Sequence, residues 1–134
     1  MVPPEMRAAV FERALDQCEY CRLPGATLGL SLTIDHIVAI KHGGPTTLEN
    51  LAAACLRCNL HKGADLATLV RGKLVRLFHP RQQAWHEHFV LDGQTGRIRG
   101  KSEVGVATTR LLNMNGNERP AIRRELLRLG RLLP

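Results

Sequence analysis

The sequence predicts an α+β fold built from short elements, and three observations support this fold class. Apolar residues recur at helical spacing near both ends of the chain. Short apolar and β-branched runs, bounded by glycine, proline and asparagine, lie between these ends. Two Cys-x-x-Cys pairs, Cys18/Cys21 and Cys55/Cys58, bracket the first of the runs. We expect a small core between the two pairs, with further elements on either side.

The elements of the N-terminal half are predicted from the position of a proline, the spacing of apolar residues and the runs of β-branched residues. Pro3–Asp16 is predicted to be a helix, because proline opens it and apolar residues follow at helical spacing. The residues around Asp35 and His36 are predicted to form a strand, and Leu51–Ala54 a second one. A helix is expected from Arg57 to about Val70, with apolar positions at Leu60, Leu66, Leu69 and Val70.

The C-terminal elements are a hairpin and two helices. We expect a short strand at Leu74–Leu77 and a turn at 80–83. The hairpin is predicted to pair Trp85–Leu91 with Arg97–Arg99, with Trp85 in the core. Ser102 is predicted to cap a helix that runs to about Asn113. A last helix begins near Pro120, with an apolar seam of Ile122, Leu126, Leu129 and Leu133.

The four cysteines predict a closed tetrahedral zinc site, since each Cys-x-x-Cys aims two thiolates at one point. The 33 residues between Cys21 and Cys55 exceed the usual spacing of a zinc ribbon, which indicates a functional insert. Two disulfides or a redox motif are the alternatives. The absence of a signal peptide and of further cysteines favours a reducing, cytoplasmic location and therefore zinc.

Polar residues of the insert are suited to metal and acid–base chemistry. Asp35 and His36 are adjacent on a strand and would point to opposite faces. Asp is a hard oxygen ligand for Mg²⁺, and neutral His is a base near pH 7. Asn50 follows a Gly-Gly loop and could pin it, or could be a plain turn residue. Asn59 could supply a second oxygen ligand, or could cap a helix.

The window from Cys18 to Gly63 resembles the HNH endonuclease family. The resemblance implies a ββα-metal (His-Me finger) core with a four-cysteine zinc clamp. It implies His36 as general base, Asn50 as the residue that holds the loop, and Asp35 and Asn59 as ligands of a catalytic ion. Asn59 stands where the family often has His, which favours Mg²⁺ or Mn²⁺ over softer ions. Phe78 to Asn115 also looks like the tail of small stand-alone bacterial members.

The function implied by the resemblance is metal-dependent hydrolysis of DNA phosphodiester bonds, with DNA favoured over RNA. Two alternatives stay open. One is a catalytically inactive, zinc-stabilised DNA-binding or adaptor module; the other is a zinc-stabilised protein-interaction domain. A protein partner or a homodimer is compatible with each. No apolar run is long enough to span a membrane.

Charge is distributed unevenly along the chain. Residues 1–70 hold six Lys/Arg and seven Asp/Glu, whereas residues 71–134 hold thirteen and five. We therefore expect residues 1–70 to form the HNH core, and residues 71–134 to form a basic extension that packs on the core and grips a polyanion. The alternative is that the arginines merely solvate exposed faces. The predicted nucleic-acid contacts are His61, Lys62, Arg124, Arg128 and Arg131.

Two other features do not support a site. His86 and His88 could chelate a metal from one strand, but no third ligand is evident nearby. The chain has five aromatic residues of the Phe, Trp and Tyr type, too few to predict a platform for stacking bases.

Overall fold

The computed structural model describes residues 1–25 and 31–132. The chain divides into two compact units. The first comprises Met1–Leu66 with His79–Gln83, and the second Ala67–Phe78 with Ala84–Pro134. Both mix short helices with two-stranded antiparallel sheets, so the predicted α+β class is confirmed.

The first unit is built on one hairpin and two helices. Helix α1 (Pro4–Arg13) is followed by strands β1 (Thr33–His36) and β2 (Leu51–Ala54), which pair antiparallel, and by helix α2 (Leu56–Lys62). Short 3₁₀ turns at Ile40–His42 and Leu48–Asn50 lie between the strands. All four residues of β2 are fully buried. Three of them are alanines, whose small side chains allow other elements to approach the hairpin closely.

Arginine side chains tie the ends of this unit to its hairpin. Arg13, the last residue of α1, donates to the carbonyl oxygens of Leu48 at 3.0 Å and of Leu51 at 2.7 Å. Arg81 forms an ion pair with Glu19, and Glu19 also accepts the amide N–H of Ala53 at 2.8 Å. The loop His79–Gln83 therefore belongs with the hairpin.

The predicted helix 57–70 is wrong in its second half. Helix α2 ends at Lys62, and Gly63 follows with φ +52°. Strand β3 (Ala67–Val70) then pairs with β4 (Lys73–Arg76) across Arg71-Gly72, both at positive φ. A two-residue turn with positive φ at both positions suits the twist of a tight hairpin. The positive φ angles at Gly63 and Gly72 thus redirect the chain from helix to sheet.

The second unit continues with further elements after this hairpin. Helix α3 (Trp85–His88) runs into β5 (Phe89–Leu91), which pairs with β6 (Ile98–Gly100). Helices α4 (Glu103–Leu111) and α5 (Arg119–Arg128) follow. The predicted cap of α4 is confirmed, since Ser102 Oγ accepts the Gly105 amide at 3.0 Å.

The prediction of one strand over Trp85–Leu91 is wrong, because a single helical turn occupies its first four residues. The turn brings Trp85 onto Phe89, with ring centroids 5.0 Å apart in a stacked arrangement. In an extended strand, residues four positions apart would be separated by about 13 Å. Trp85 is buried as predicted, and its aromatic packing outweighs the local preference for a strand.

Two helix predictions are corrected at their ends or faces. Helix α1 stops at Arg13 rather than Asp16, since Leu15 and Asp16 both have φ +55°. In α5 the buried side chains are Arg119 and Arg123, whereas Leu129 of the predicted seam is 50% exposed. Leu133 lies outside the described residues.

Within the described ranges, no helix combines the length and the apolar composition that crossing a membrane requires.

Candidate active site and zinc cluster

The four cysteine sulfurs converge in the first unit. Their Sγ atoms all lie within 4.8 Å of one another, and Cys21 and Cys55 approach to 3.6 Å. Four ligands placed about 2.3 Å from a tetrahedral zinc ion would lie roughly 3.8 Å apart. The cluster therefore matches a zinc clamp, and no other such group of His, Cys, Asp or Glu occurs in the described ranges.

Backbone geometry prepares these sulfurs for a cation. The amides of Cys21 and Cys58 each point at the first sulfur of their own pair, at 3.4 Å. Burial raises the pKa of the Cys18 thiol, whereas hydrogen bonds from the other cysteines, Cys18 first, lower the pKa of Cys55. A divalent metal would displace the thiol protons and leave four thiolate ligands.

A buried network connects the first cysteine pair to strand β1. Tyr20, which lies between Cys18 and Cys21, donates its hydroxyl to Asp35 Oδ2 at 2.6 Å. Burial, with the neighbouring Asp35 charge, raises the pKa of Tyr20 well above its usual value. The phenol therefore stays protonated and acts as a donor to the carboxylate.

Asp35 is held on its other oxygen by a lysine. Lys62 Nζ lies 3.1 Å from Asp35 Oδ1, and the two side chains are 2% and 3% exposed. Lys62 also donates to the carbonyl oxygens of His36 at 3.3 Å and Ile37 at 3.0 Å. Burial raises the pKa of Asp35, while the Lys62 charge and the Tyr20 hydrogen bond oppose that shift. The pair joins the last turn of α2 to β1.

His36 occupies the opposite face of β1 and is only half-buried. Its Nε2 lies 3.0 Å from Thr46 Oγ1, in the loop between the strands. No hydrogen bond to Nδ1 occurs among the described residues. One ring nitrogen is thus fixed on the loop while the other is available, as a base or a ligand requires.

Asn50 fastens the same loop through all of its side-chain amide. Oδ1 accepts the Val38 amide, and Nδ2 donates to the carbonyl oxygens of Val38 and Pro45, each at 2.9 Å. Position 44 next to this amide accommodates only glycine, because the Cβ of any other residue would lie 1.7 Å from Val38 O. The loop that carries Thr46 is therefore closely constrained.

Asn59 lies on α2 and faces the start of β1. Its Nδ2 donates to Thr33 Oγ1 at 2.8 Å and more weakly to Ile34 O at 3.4 Å. The amide oxygen accepts no hydrogen bond from the described part of the chain. Asn59 thus stays next to β1 with an oxygen free for another partner.

The predicted nucleic-acid residues fall into two classes. His61 and the three arginines Arg124, Arg128 and Arg131 are exposed, and Arg128 is paired with Glu125. Lys62 requires a correction, because its ammonium is buried on Asp35 and cannot reach a phosphate in this arrangement.

The sequence does not predict that Thr46 and Tyr20 belong to the site, or that Lys62 has a structural role. The signal for Tyr20 and Lys62 is weak: each is a polar residue near a cysteine pair, and neither spacing predicts a buried partner. The sequence around Thr46 predicts only a loop, and the ten positions that separate it from His36 give no sign of a contact between the two.

The first unit combines a hairpin and a helix, with a cysteine pair before and after the hairpin and His36 on its first strand. Residues 18–65 match the model of the HNH endonuclease family. These residues form an HNH endonuclease domain. The family implies a ββα-metal fold, which corresponds to β1, β2 and α2. No curated protein matches the chain significantly.

The HNH domain offers donors of the right chemistry for a hard divalent cation. A carboxylate from Asp35 and an amide oxygen from Asn59 are the kind of ligands that Mg²⁺ prefers. The Asn59 oxygen is unengaged among the described residues, whereas the two Asp35 oxygens accept from Tyr20 and Lys62. The donor types fit the ion, and the Lys62 ammonium is the contact with which an ion on Asp35 would compete.

Proposed function

We propose that the protein is a metal-dependent endonuclease that hydrolyses phosphodiester bonds in DNA. The observation that carries the proposal is the setting of His36 in the HNH domain, half-buried with Nε2 held by Thr46. A histidine fixed on one nitrogen and open at the other is arranged to take a proton.

His36 acts in this proposal as the general base. Nε2 carries the ring proton and donates a hydrogen bond to Thr46 Oγ1, so that the lone pair lies on Nδ1. Nδ1 accepts the proton of a water molecule that attacks phosphorus. Asn50 contributes by fixing the loop, since its three hydrogen bonds restrict the position of Thr46. As the water oxygen bonds to phosphorus, the bond between phosphorus and the leaving oxygen breaks.

Asp35 and Asn59 are the proposed ligands of a Mg²⁺ or Mn²⁺ ion. When bound, the ion supplies positive charge that stabilises the phosphate and the leaving oxygen. Zinc, held by the four cysteines, has a structural part. The cysteine pairs flank the hairpin and thereby set the spacing of β1 and α2.

DNA is the proposed substrate because the chain is strongly basic, at +7, and the family acts on nucleic acid. Catalysis is assigned to residues 1–70 and much of the polyanion binding to residues 71–134. His61 and the exposed arginines Arg124, Arg128 and Arg131 are proposed phosphate contacts. Binding of this kind weakens steeply as salt is added.

The experiment that tests the proposal uses zinc-loaded protein and supercoiled plasmid. Nicking or linearisation should occur with Mg²⁺ or Mn²⁺, stop when EDTA is added, and be lost in His36→Ala. A wild-type protein that leaves the plasmid intact in both metals, while holding zinc and binding DNA, would contradict the proposal.

A second function is favoured by one observation, the engagement of both Asp35 oxygens by Tyr20 and Lys62. A carboxylate committed to the interior suits an inactive, zinc-stabilised DNA-binding or adaptor module. The retention of both Asp35 and His36 argues for the enzyme. The plasmid experiment separates the two, since the module binds DNA without cutting it.

A further inference from the structure

The second unit contains a groove between strand β6 and helix α4, which we call the β6–α4 groove. Its volume is about 750 Å³. The apolar part of its lining comes from Val90, Ile98 and Val106, and the cationic part from Arg97, Arg99 and Arg110. Val106 is 39% exposed, although it is apolar. The groove therefore combines an accessible apolar surface with three positive charges.

The cations Arg97 and Arg99 are available to a ligand. Both are exposed, and neither forms an ion pair with a carboxylate of the described residues. Arg97 directly precedes β6 and Arg99 lies within it, and the two exposed side chains flank the buried Ile98, as alternation of faces along the chain requires. Arg110 is also exposed, and its guanidinium donates to the Leu69 carbonyl.

The acidic member of the lining is already engaged. Asp92 Oδ1 accepts the amides of Gln94 at 2.8 Å and Thr95 at 3.1 Å, within the turn between β5 and β6. Its charge offsets one of the three arginines, and the lining stays positive. Thr109, another lining residue, has a buried hydroxyl with no hydrogen-bond partner among the described residues.

A rigid scaffold supports the strand that carries these arginines. Asn115 brackets Ile98, accepting its amide at 2.8 Å and donating to its carbonyl at 2.7 Å. Arg123, which is fully buried, donates to Gly96 O at 2.6 Å and to Met114 O at 2.7 Å. The backbone on both sides of the groove is thus held before a ligand arrives, which reduces the entropy lost on binding.

We propose that the β6–α4 groove binds a strand of nucleic acid. Phosphate oxygens bind Arg97 and Arg99, whose guanidinium groups match the geometry of phosphate, and a sugar or base lies against Val90 and Val106. The positive charge selects an anion, and the apolar part of the lining suits the sugars and bases that alternate with phosphate along a strand. The inference deepens the proposed function and rests on its assignment of a nucleic-acid substrate.

The test measures binding of a fluorescent single-stranded oligonucleotide by anisotropy, without added divalent ions so that no strand is cut. Arg97→Gln/Arg99→Gln is compared with a charge-matched control, Arg7→Gln/Arg76→Gln, which removes two exposed arginines that do not line the groove. We expect the groove variant to lose roughly tenfold or more in affinity. Its log–log salt slope should fall by about 1.4, since each phosphate contact on a single strand contributes about 0.7. Equal losses in the two variants would overturn the proposal.

A second pair of variants tests the apolar part without changing charge. Val106→Trp should fill the exposed side of the groove and weaken oligonucleotide binding several-fold, whereas Val106→Ala should weaken it less, because it removes part of the apolar contact without blocking the groove. Circular dichroism checks that both variants are folded. A Trp variant that binds as well as the wild type would contradict the proposal, as would a polyglutamate peptide that binds as tightly as the oligonucleotide.

Cleavage measured in parallel distinguishes failure of the groove from failure of the nuclease proposal. Groove-dependent binding without cleavage by the wild type would support the groove and contradict the nuclease. Plasmid cleavage by the wild type, with no difference in binding between the two arginine pairs, would contradict the groove alone.

Discussion

At the scale of single residues, the proposed chemistry depends on how the ring of His36 is held. Thr46 fixes Nε2, and Asn50 fixes the loop that carries Thr46. On the other face of the same strand, Asp35 is buried between Tyr20 and Lys62. The alternation of a strand thus separates an oriented, accessible histidine from a buried charge network.

Replacing Thr46 with Val should slow cleavage without changing DNA binding. The change keeps the side-chain shape and removes the partner of His36 Nε2. A hydrogen bond of this kind is worth about 0.5–1.5 kcal/mol, so we expect the rate at saturating DNA to fall up to roughly tenfold. Thr46→Ser should restore it. Single-turnover kinetics would contradict this part of the account if Thr46→Val cleaved at the wild-type rate, or if Ser and Val variants were equally slow.

The Asp35–Lys62 pair should be strongly coupled in stability. Lys62→Met leaves a buried carboxylate without its counter-ion, and such losses cost about 3–5 kcal/mol. Asp35→Asn leaves the ammonium unpaired and should also destabilise. The double variant should lose clearly less than the sum of the two, because no isolated charge remains. Chemical denaturation measures all four proteins, and additive losses would show that the two charges do not interact.

At the scale of elements, the cysteine spacing predicts the four-sulfur cluster and the β-branched runs predict the hairpin, whereas the HNH core is implied by the resemblance of the window from Cys18 to Gly63 to that family. The hairpin β1–β2 and the start of α2 lie where local sequence and metal-ligand geometry agree. Prediction fails where tertiary packing or backbone geometry decides. Helix α2 ends at Lys62 because Gly63 takes positive φ, and Trp85 adopts a helical turn that stacks it on Phe89.

Site residues divide in the same way. The convergence of the four cysteines is predictable because their spacing alone specifies a ligand set. The partner of His36 is not, since Thr46 reaches it only through a loop folded by Asn50. The prediction that Lys62 contacts nucleic acid fails because a sequence shows charge but not burial.

Removal of one zinc ligand should unfold the HNH domain rather than weaken it slightly. Cys58 is fully buried beside the other sulfurs, and zinc binding to such sites is coupled to folding. Cys58→Ser should lose zinc, measured by metal analysis, and lose native structure, measured by circular dichroism. A well-folded, zinc-free Cys58→Ser protein would contradict the structural role of the cluster.

At the scale of the whole molecule, positive charge is divided between interior and surface. Arg119 and Arg123 are buried and hold backbone carbonyls, so they add to the net charge without facing a ligand. The arginines of the β6–α4 groove are exposed, as are Arg124 and Arg128 of α5 and Arg131 after it. The net charge therefore overstates the positive charge that DNA can contact. Only the exposed arginines can bind phosphate. No sequence pattern distinguishes the two groups, since both lie in the same basic segment.

The most direct test of the central claim compares the plasmid-nicking rate of His36→Ala with that of His42→Ala, in Mg²⁺ and at equal zinc content. His42 is an exposed histidine six residues along the chain and serves as the matched control. We predict that His36→Ala loses at least roughly a hundredfold in rate, as expected for removal of a general base, while His42→Ala cuts like the wild type. Equal rates in the two variants would contradict the assignment of His36 as the base.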